Sequence, residues 1–177
     1  MTDFQIKILN MCETDSGRIS EIARECCLEK WTEEDYKQEA NRKNSIALIA
    51  TADRIEDRDI VGFLIARLHL TEQNETSDAL HPFENYEMDI LNIGVIRRYR
   101  KKGVGGLLLE QSKRVASREK ASDVWLEVRE SNLDAVEFYQ KRGFEKIQKR
   151  NKFYSNPTEN AVVMKLVLDR QLSQSKT

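Results

Sequence analysis

Residues 88–106 read MDILNIGVIRRYRKKGVGG. An apolar run over 88–96 ends in a basic turn of Arg97, Arg98, Arg100, Lys101 and Lys102, and glycines stand at 103, 105 and 106. From Val104 to about Ser117, the residues Val104, Leu107, Leu108 and Val115 fall on one helical face, which predicts a strand, a turn and an amphipathic helix. Glycine lets a backbone approach a ligand closely and adopt positive φ. The N–H groups of a first helical turn lack intrahelical partners and carry the positive end of the helix dipole. An anion of pyrophosphate type fits such a turn; a solvated basic turn with a tight helix start fits the same residues. No GK[ST] follows as in a Walker A loop, and no GxGxxG with a ribose-binding acid is present.

Downstream, Val124–Val128 reads as a strand. Ser131-Asn132-Leu133-Asp134 is a capping-box pattern that starts a helix, and Gly143 ends it. Phe144–Ile147 and Ala161–Leu168 read as closing strands, with a fraying tail over 171–177. Upstream, Ile6 and Ile8 alternate as in a strand, and Ile19, Ile22, Ala23 and Cys26 follow helical spacing. Trp31 precedes Thr32-Glu33-Glu34-Asp35, the start of a second helix through Tyr36 and Ala40. Ile46–Ala50 and Ile60–Leu68 flank the charged DRIEDRD and predict an antiparallel hairpin. Residues 71–86 hold four acids and no Lys or Arg and predict a long loop. These elements predict one α/β domain over residues 1–170, with a mixed, mainly antiparallel sheet of about six or seven strands and about four helices.

The chain has 177 residues, 40% hydrophobic and 33% charged, with 7 Gly and 2 Pro, a globular composition with room for a core. Its 29 basic and 30 acidic residues give a net charge of −1, so no overall field attracts nucleic acid. Aromatic residues do not interleave with the basic run beyond Tyr99, which argues against a base-stacking surface. No membrane-spanning run, secretory signal or transit peptide is apparent, so the expected location is cytoplasmic and no membrane partner is expected. Cys12, Cys26 and Cys27 are expected to be buried thiols, and His69 and His81 lack a third ligand at a metal-binding spacing, so no metal is expected.

On β periodicity Glu127 shares a strand face with Trp125 and Arg129. Two readings stay open: an ion pair with Arg129 or a nearby Lys, or a carboxylate desolvated by the indole and suited to remove a proton from an ammonium. Asn132, Val136 and Tyr139 share a helix face, which serves an amphipathic core or a site.

The runs Asn92-Ile93-Gly94-Val95 and Tyr99-Arg100-Lys101-Lys102-Gly103-Val104-Gly105 resemble the R/Q-x-x-G-x-G/A motif of the GCN5-related N-acetyltransferase (GNAT) superfamily. Trp125–Asn132, Phe138-Tyr139, Gly143-Phe144 and Asn151-Lys152-Phe153-Tyr154 resemble more narrowly the ribosomal-protein alanine N-acetyltransferases and related protein N-terminal acetyltransferases. Trp31-Thr32-Glu33 matches an early turn of that subfamily. The resemblance departs at Arg97, where Pro is common, and at 71–86, which is longer than usual.

The resemblance implies the GNAT fold, splayed between its fourth and fifth strands, with acetyl-CoA as cosubstrate and no metal. Ile93, Gly94 and Val95 would line the pantetheine, with the Val95 N–H at the thioester carbonyl. Backbone amides of Lys101, Lys102, Gly103, Val104, Gly105 and Gly106 would wrap the pyrophosphate, with Arg100, Lys101 and Lys102 adding charge. Glu127 becomes the base, Tyr139 the acid for the departing thiolate, Asn132 a cofactor contact, and Trp31 and Tyr154 parts of a peptide slot. The implied acceptor is the α-amine of a protein or peptide N-terminus, such as an alanine of a ribosomal protein. Neutralising an α-ammonium at pH 7 costs roughly 3 kcal/mol less than neutralising a lysine, which suits a single Glu base. Lysine or small-amine acetylation uses the same cofactor site, and a non-catalytic acyl-CoA-binding or RNA-binding module is the reading from another class.

Overall fold

Strands and helices follow the apolar periodicity wherever one face is buried. In the computed structural model the described residues are 5–28, 31–54, 57–71 and 86–168. In chain order they form β1 (Ile6–Asn10), α1 (Ser16–Glu25), α2 (Glu33–Asn41), β2 (Ser45–Arg54), β3 (Asp57–Leu70), β4 (Tyr86–Val95), α3 (Val104–Arg118), β5 (Ala121–Arg129), α4 (Leu133–Gln140), β6 (Glu145–Ser155) and β7 (Thr158–Val167). The strand order is β1-β2-β3-β4-β5-β7-β6. Pairs β1–β2, β2–β3, β5–β7 and β6–β7 are antiparallel, whereas β4 and β5 are parallel. This is the mixed, mainly antiparallel sheet expected, with seven strands and four α-helices among the described residues. The acidic 71–86 loop, apart from Thr71 and Tyr86, and the 171–177 tail lie outside the described residues.

The chain divides into two compact units, Met1–Arg67 with Leu91–Val115, and Leu68–Ile90 with Ala116–Thr177. In the first, Val61 and Phe63–Ala66 of β3 form a nearly continuous buried run, as a strand covered on both faces requires. Ile19, Ile22 and Ala23 bury one face of α1, and Thr32 caps α2 by accepting from the Asp35 N–H. Helix α3 turns Val104, Leu108, Ser112 and Ala116 inward at strict four-residue spacing, with Leu109 beside them. Leu107, expected inside, is exposed, and Val115 is half-buried, because four-residue steps leave both to the side of that seam.

In the second unit, β5 buries Val124, Leu126 and Val128 and turns Trp125, Glu127 and Arg129 to its other face, as the alternation predicts. Asn132 is the N-cap of α4, its Oδ1 accepting from the Ala135 N–H, and Gly143 ends that segment at φ +86°. Strand β6 runs eight residues past its expected end at Ile147, to Ser155. It is exposed along nearly its whole length and carries three Lys, one Arg and one Glu, so no alternation marks it. The cysteines overturn the expectation of buried thiols: Cys12 and Cys27 are exposed and Cys26 is half-buried. They flank α1 rather than sit on its apolar face.

Candidate functional site

In the first unit, the basic turn takes the backbone its glycine suggests. Lys101 and Gly103 are both left-handed, at φ +58° and +84°. The Gly103 carbonyl accepts from the Leu107 N–H at 3.0 Å, which makes Gly103 the residue before the first turn of α3. The N–H groups of Val104, Gly105 and Gly106 therefore stand at the positive end of a 15-residue helix. Nothing lies within 4 Å of where a Gly103 Cβ would be, so the turn has open space beside it. These donors and that space fit a pyrophosphate.

The side chains of the turn divide their work. Arg100 folds back, its Nε donating to the Val95 carbonyl at 2.9 Å and its Nη2 approaching Cys26 Sγ at 3.4 Å. Arg98 pairs with Asp59 and lies over the Tyr99 ring at 5.3 Å, and Lys102 lies over the same ring at 5.5 Å. The end of β4 is also tied to α1, through the Arg97 N–H to Glu25 at 3.1 Å. Arg100 thus fixes the end of β4 rather than only lending charge to a rim.

Gly94 is buried where no side chain fits. A Cβ there would lie 2.8 Å from Phe63 Cε1, and 3.4 Å from both Cys26 Sγ and Leu28 Cδ1. A Cβ on Gly62 would come within 2.9 Å of the Gly94 carbonyl oxygen. Phe63 in turn meets Tyr36 edge-on at 5.5 Å, and Tyr36 meets Trp31 at 5.3 Å. Asn92 Nδ2 donates to the Tyr36 hydroxyl at 3.2 Å, and burial pushes that phenol's pKa up. Trp31 is therefore the half-buried end of an aromatic column whose base is Gly94.

In the second unit, Glu127 makes an ion pair with Arg150 of β6. The partner is neither Arg129 nor a Lys, the ion-pair partners expected. The Glu127 side chain keeps 32% of its exposure, so Trp125 does not wall it off from water. Tyr154 donates from its hydroxyl to the Glu127 carbonyl at 3.3 Å. Arg129 lies 4.2 Å over the Tyr154 ring and donates to the Asn156 carbonyl at 2.9 Å and to Glu159 at 3.1 Å. Glu127 and Tyr154 are thus brought together, while Trp31 belongs to the other unit.

Tyr139 is buried on α4, edge-on to Phe138 at 5.1 Å and to Phe144 at 5.4 Å, and burial pushes its pKa up. Its phenol stays protonated near neutrality and so keeps a proton to donate. Asn132 uses its side-chain oxygen as the α4 cap.

Sequence reading passed over Arg150 and Asp89, and weighed His69 only as a metal ligand. Arg150 stands on an unpatterned edge strand and reaches Glu127 only because β7 pairs with both β5 and β6. Asp89 lies opposite Trp125 in the β4–β5 register, and His69 comes within 3.7 Å of both Asp89 and Glu87. The one available signal was alternation in β4, which sets Glu87, Asp89 and Leu91 on one face. The Trp125 indole N–H is buried without a protein acceptor among the described residues. Among these residues no group of three or more His, Cys, Asp or Glu is placed to hold a metal, and no helix is long and apolar enough to cross a membrane.

Comparison with known proteins agrees with this geometry. The [Ribosomal protein bS18]-alanine N-acetyltransferase of Haemophilus influenzae is 30% identical over 154 residues, 85% of this chain and 90% of that protein. The N-alpha-acetyltransferase 60 of Danio rerio is 26% identical over 163 residues, 88% of this chain. The match spans 65% of the zebrafish protein, and 64% of a Saccharolobus solfataricus N-alpha-acetyltransferase, in each case just under two thirds of the relative's length. The crystal structure of Arabidopsis thaliana NAA60 with a bisubstrate analogue superposes with a TM-score of 0.81 at 20% identity, over 93% of this chain and all of that one, and shares its fold. Residues 17–144, more than two thirds of the sequence, match the Acetyltransferase (GNAT) family, and the chain belongs to it.

Proposed function

We propose that the chain transfers the acetyl group of acetyl-CoA to the α-amine of a protein or peptide N-terminus. The observation that carries the cosubstrate is the turn at 100–106, whose left-handed residues lead into the first-turn N–H groups of α3, donors without an intrahelical acceptor. When bound, acetyl-CoA supplies an activated acetyl thioester; the rest of the chemistry is orientation and proton handling by this chain. The amides of Lys101–Gly106 hold the pyrophosphate, and Ile93, Gly94 and Val95 orient the pantetheine arm, with the Val95 N–H at the thioester carbonyl. Glu127 takes a proton from the incoming ammonium, directly or through water, and Tyr139 donates at the departing sulfur. Asn132 steadies the pantetheine arm, and Trp31 and Tyr154 line the acceptor peptide.

The relatives named as N-alpha-acetyltransferases and the lower cost of neutralising an α-ammonium support the acceptor class. An alanine N-terminus of ribosomal type is the specific acceptor we propose, on the likeness to the Haemophilus enzyme.

The test is release of free CoA thiol from acetyl-CoA with peptides bearing free N-termini, N-blocked lysine peptides and polyamines. Turnover on free N-termini, strongest with alanine, and its collapse in Glu127→Gln are expected. Turnover only on lysine or polyamine would discard the acceptor, and tight CoA binding with no turnover would discard the enzyme.

A further inference from the structure

The end of α1 grips the end of β4, and both lie in the first unit. The Val95 C=O and the Ile96 N–H belong to one planar peptide group. That group is held from two sides. Its N–H donates to the Val61 carbonyl of β3 at 3.0 Å. Its oxygen accepts from Arg100 Nε at 2.9 Å and from the thiol of Cys26, the residue that caps α1, at 3.5 Å. Arg100 Nη2 in turn donates to Cys26 Sγ at 3.4 Å, so the thiol both touches the carbonyl and fixes the guanidinium that holds it. Only the two backbone dihedrals of Val95 separate this peptide group from the one that carries the Val95 N–H.

A second contact runs beside the first. The Arg97 N–H donates to Glu25 Oε1 at 3.1 Å, a backbone donor on a carboxylate. This donor exists because residue 97 is not proline, which has no N–H. At the position where the family resemblance departs, the chain thus gains a tie between helix and turn. Ile96 has φ −58° and ψ 146°, and Arg97 opens a 3₁₀ turn, a backbone that a proline at 97 accepts. The gripping residues stand on a closed helix end. Cys27 is left-handed at φ +58°, and the Leu28 N–H returns to the Ala23 carbonyl at 2.8 Å. Leu28 Cδ1 then lies 3.4 Å from where a Gly94 Cβ would be, so α1 is seated against β4 on this side as well.

Resting on the acetyltransferase reading above, we propose that Glu25 and Cys26 are positioning residues of the transfer step: from the end of α1 they latch the end of β4 and, through Arg100, aim the Val95 N–H at the thioester carbonyl. Neither residue touches a substrate. An N–H donor at that oxygen acts most strongly as negative charge develops there, in the transition state. A peptide group freed to rock therefore costs rate and leaves the affinity for both substrates in place. Arg100 serves the latch, its Nε and Nη2 both being turned toward β4 and α1.

Two measurements test this, each made well below the thermal midpoint of the variant concerned. The first is steady-state kinetics with an N-terminal peptide. Arg97→Pro and Glu25→Ala delete one hydrogen bond from its two ends and should lower kcat alike, by about 10-fold, short of the roughly 10²–10³-fold that outright loss of such a donor costs. KM for peptide and for acetyl-CoA should stay as in wild type. Glu25→Gln, which keeps an acceptor, should retain more rate than Glu25→Ala, and Cys26→Ser more than Cys26→Ala. Because both contacts hold one segment, Arg97→Pro with Cys26→Ala should lose less than the product of the single losses. Cys27→Ser, at an exposed side chain beside the latch, should match wild type. The second measurement needs no acceptor: the infrared carbonyl stretch of acetyl-CoA labelled with carbon-13 at the acetyl carbonyl, lowered by a hydrogen bond when bound to wild type, should move up in Arg97→Pro and Cys26→Ala. Wild-type kcat in those two variants, an effect on KM alone, or an unmoved stretch overturns the proposal. Absence of wild-type turnover on any N-terminus overturns the acetyltransferase reading instead, and the carbonyl stretch still judges the latch.

Discussion

Replacing Gly94 by alanine puts a methyl group 2.8 Å from Phe63 Cε1, where carbon atoms prefer about 3.5–4.0 Å, so the ring must retreat by about 1 Å. It has nowhere to go. Phe63 is fully buried and braced edge-on against Tyr36, which is itself fully buried and bonded to Asn92. Overpacking of this kind costs about 1–3 kcal/mol. For a chain of this size each kcal/mol moves the melting temperature by about 2–4 °C, so a cost of about 2 kcal/mol predicts a fall of about 4–8 °C. Two comparisons isolate the cause. Gly103→Ala meets no atom within 4 Å and carries only left-handed backbone strain, about 1 kcal/mol. Phe63→Leu withdraws the clashing ring, so in the double variant the Gly94→Ala cost should shrink by at least about 1 kcal/mol. The assay is thermal unfolding of the wild type and these four variants, with acetyl-CoA binding measured by calorimetry on each. Costs that simply add in the double variant, or an unchanged melting temperature in Gly94→Ala, refute the packing argument.

Glu39, buried and bonded to Arg67 Nε at 3.0 Å and Arg42 Nε at 2.9 Å, carries a pH signature. Burial would raise its carboxyl, but the donors Arg67, Arg42 and Ser45 outweigh burial and hold it below the usual value. Because the folded value is the lower one, its stabilisation is present at neutral pH and lost as pH falls through that value. Urea unfolding of Glu39→Gln should show a large deficit near pH 7 that closes below pH about 4, and a pH-independent deficit would contradict this. Arg129→Lys cannot reproduce the fork that grips the Asn156 carbonyl and Glu159 while covering Tyr154. A loss of about 1 kcal/mol in stability and a raised KM for peptide, with KM for acetyl-CoA unchanged, are expected by steady-state kinetics. Tyr139→Phe removes a donor whose phenol burial keeps protonated, so kcat should fall without loss of any limb of the pH–rate profile below about 10.

Local chemistry made much of this protein legible. The Thr32 cap of α2, the left-handed Gly103 and Gly143 and the alternation of β5 each depend on residues within one turn or one strand, so the sequence alone determined them. The motif around Gly94–Gly106 named the family for the same reason, since the turn's backbone is written in its own residues. What escaped is contact across elements. Edge strand β6 has no buried face, so neither its length nor the reach of Arg150 to Glu127 leaves a periodic trace. The inward seam of α3 differs from the expected one because it depends on which residues are covered, not on which are apolar. Gly94 was expected beside the pantetheine; that a side chain there would strike the Phe63 ring depends on another strand and is not written in the turn. His69 and Asp89 meet only after β3 and β4 are laid side by side, and no spacing in a linear chain encodes a register between strands.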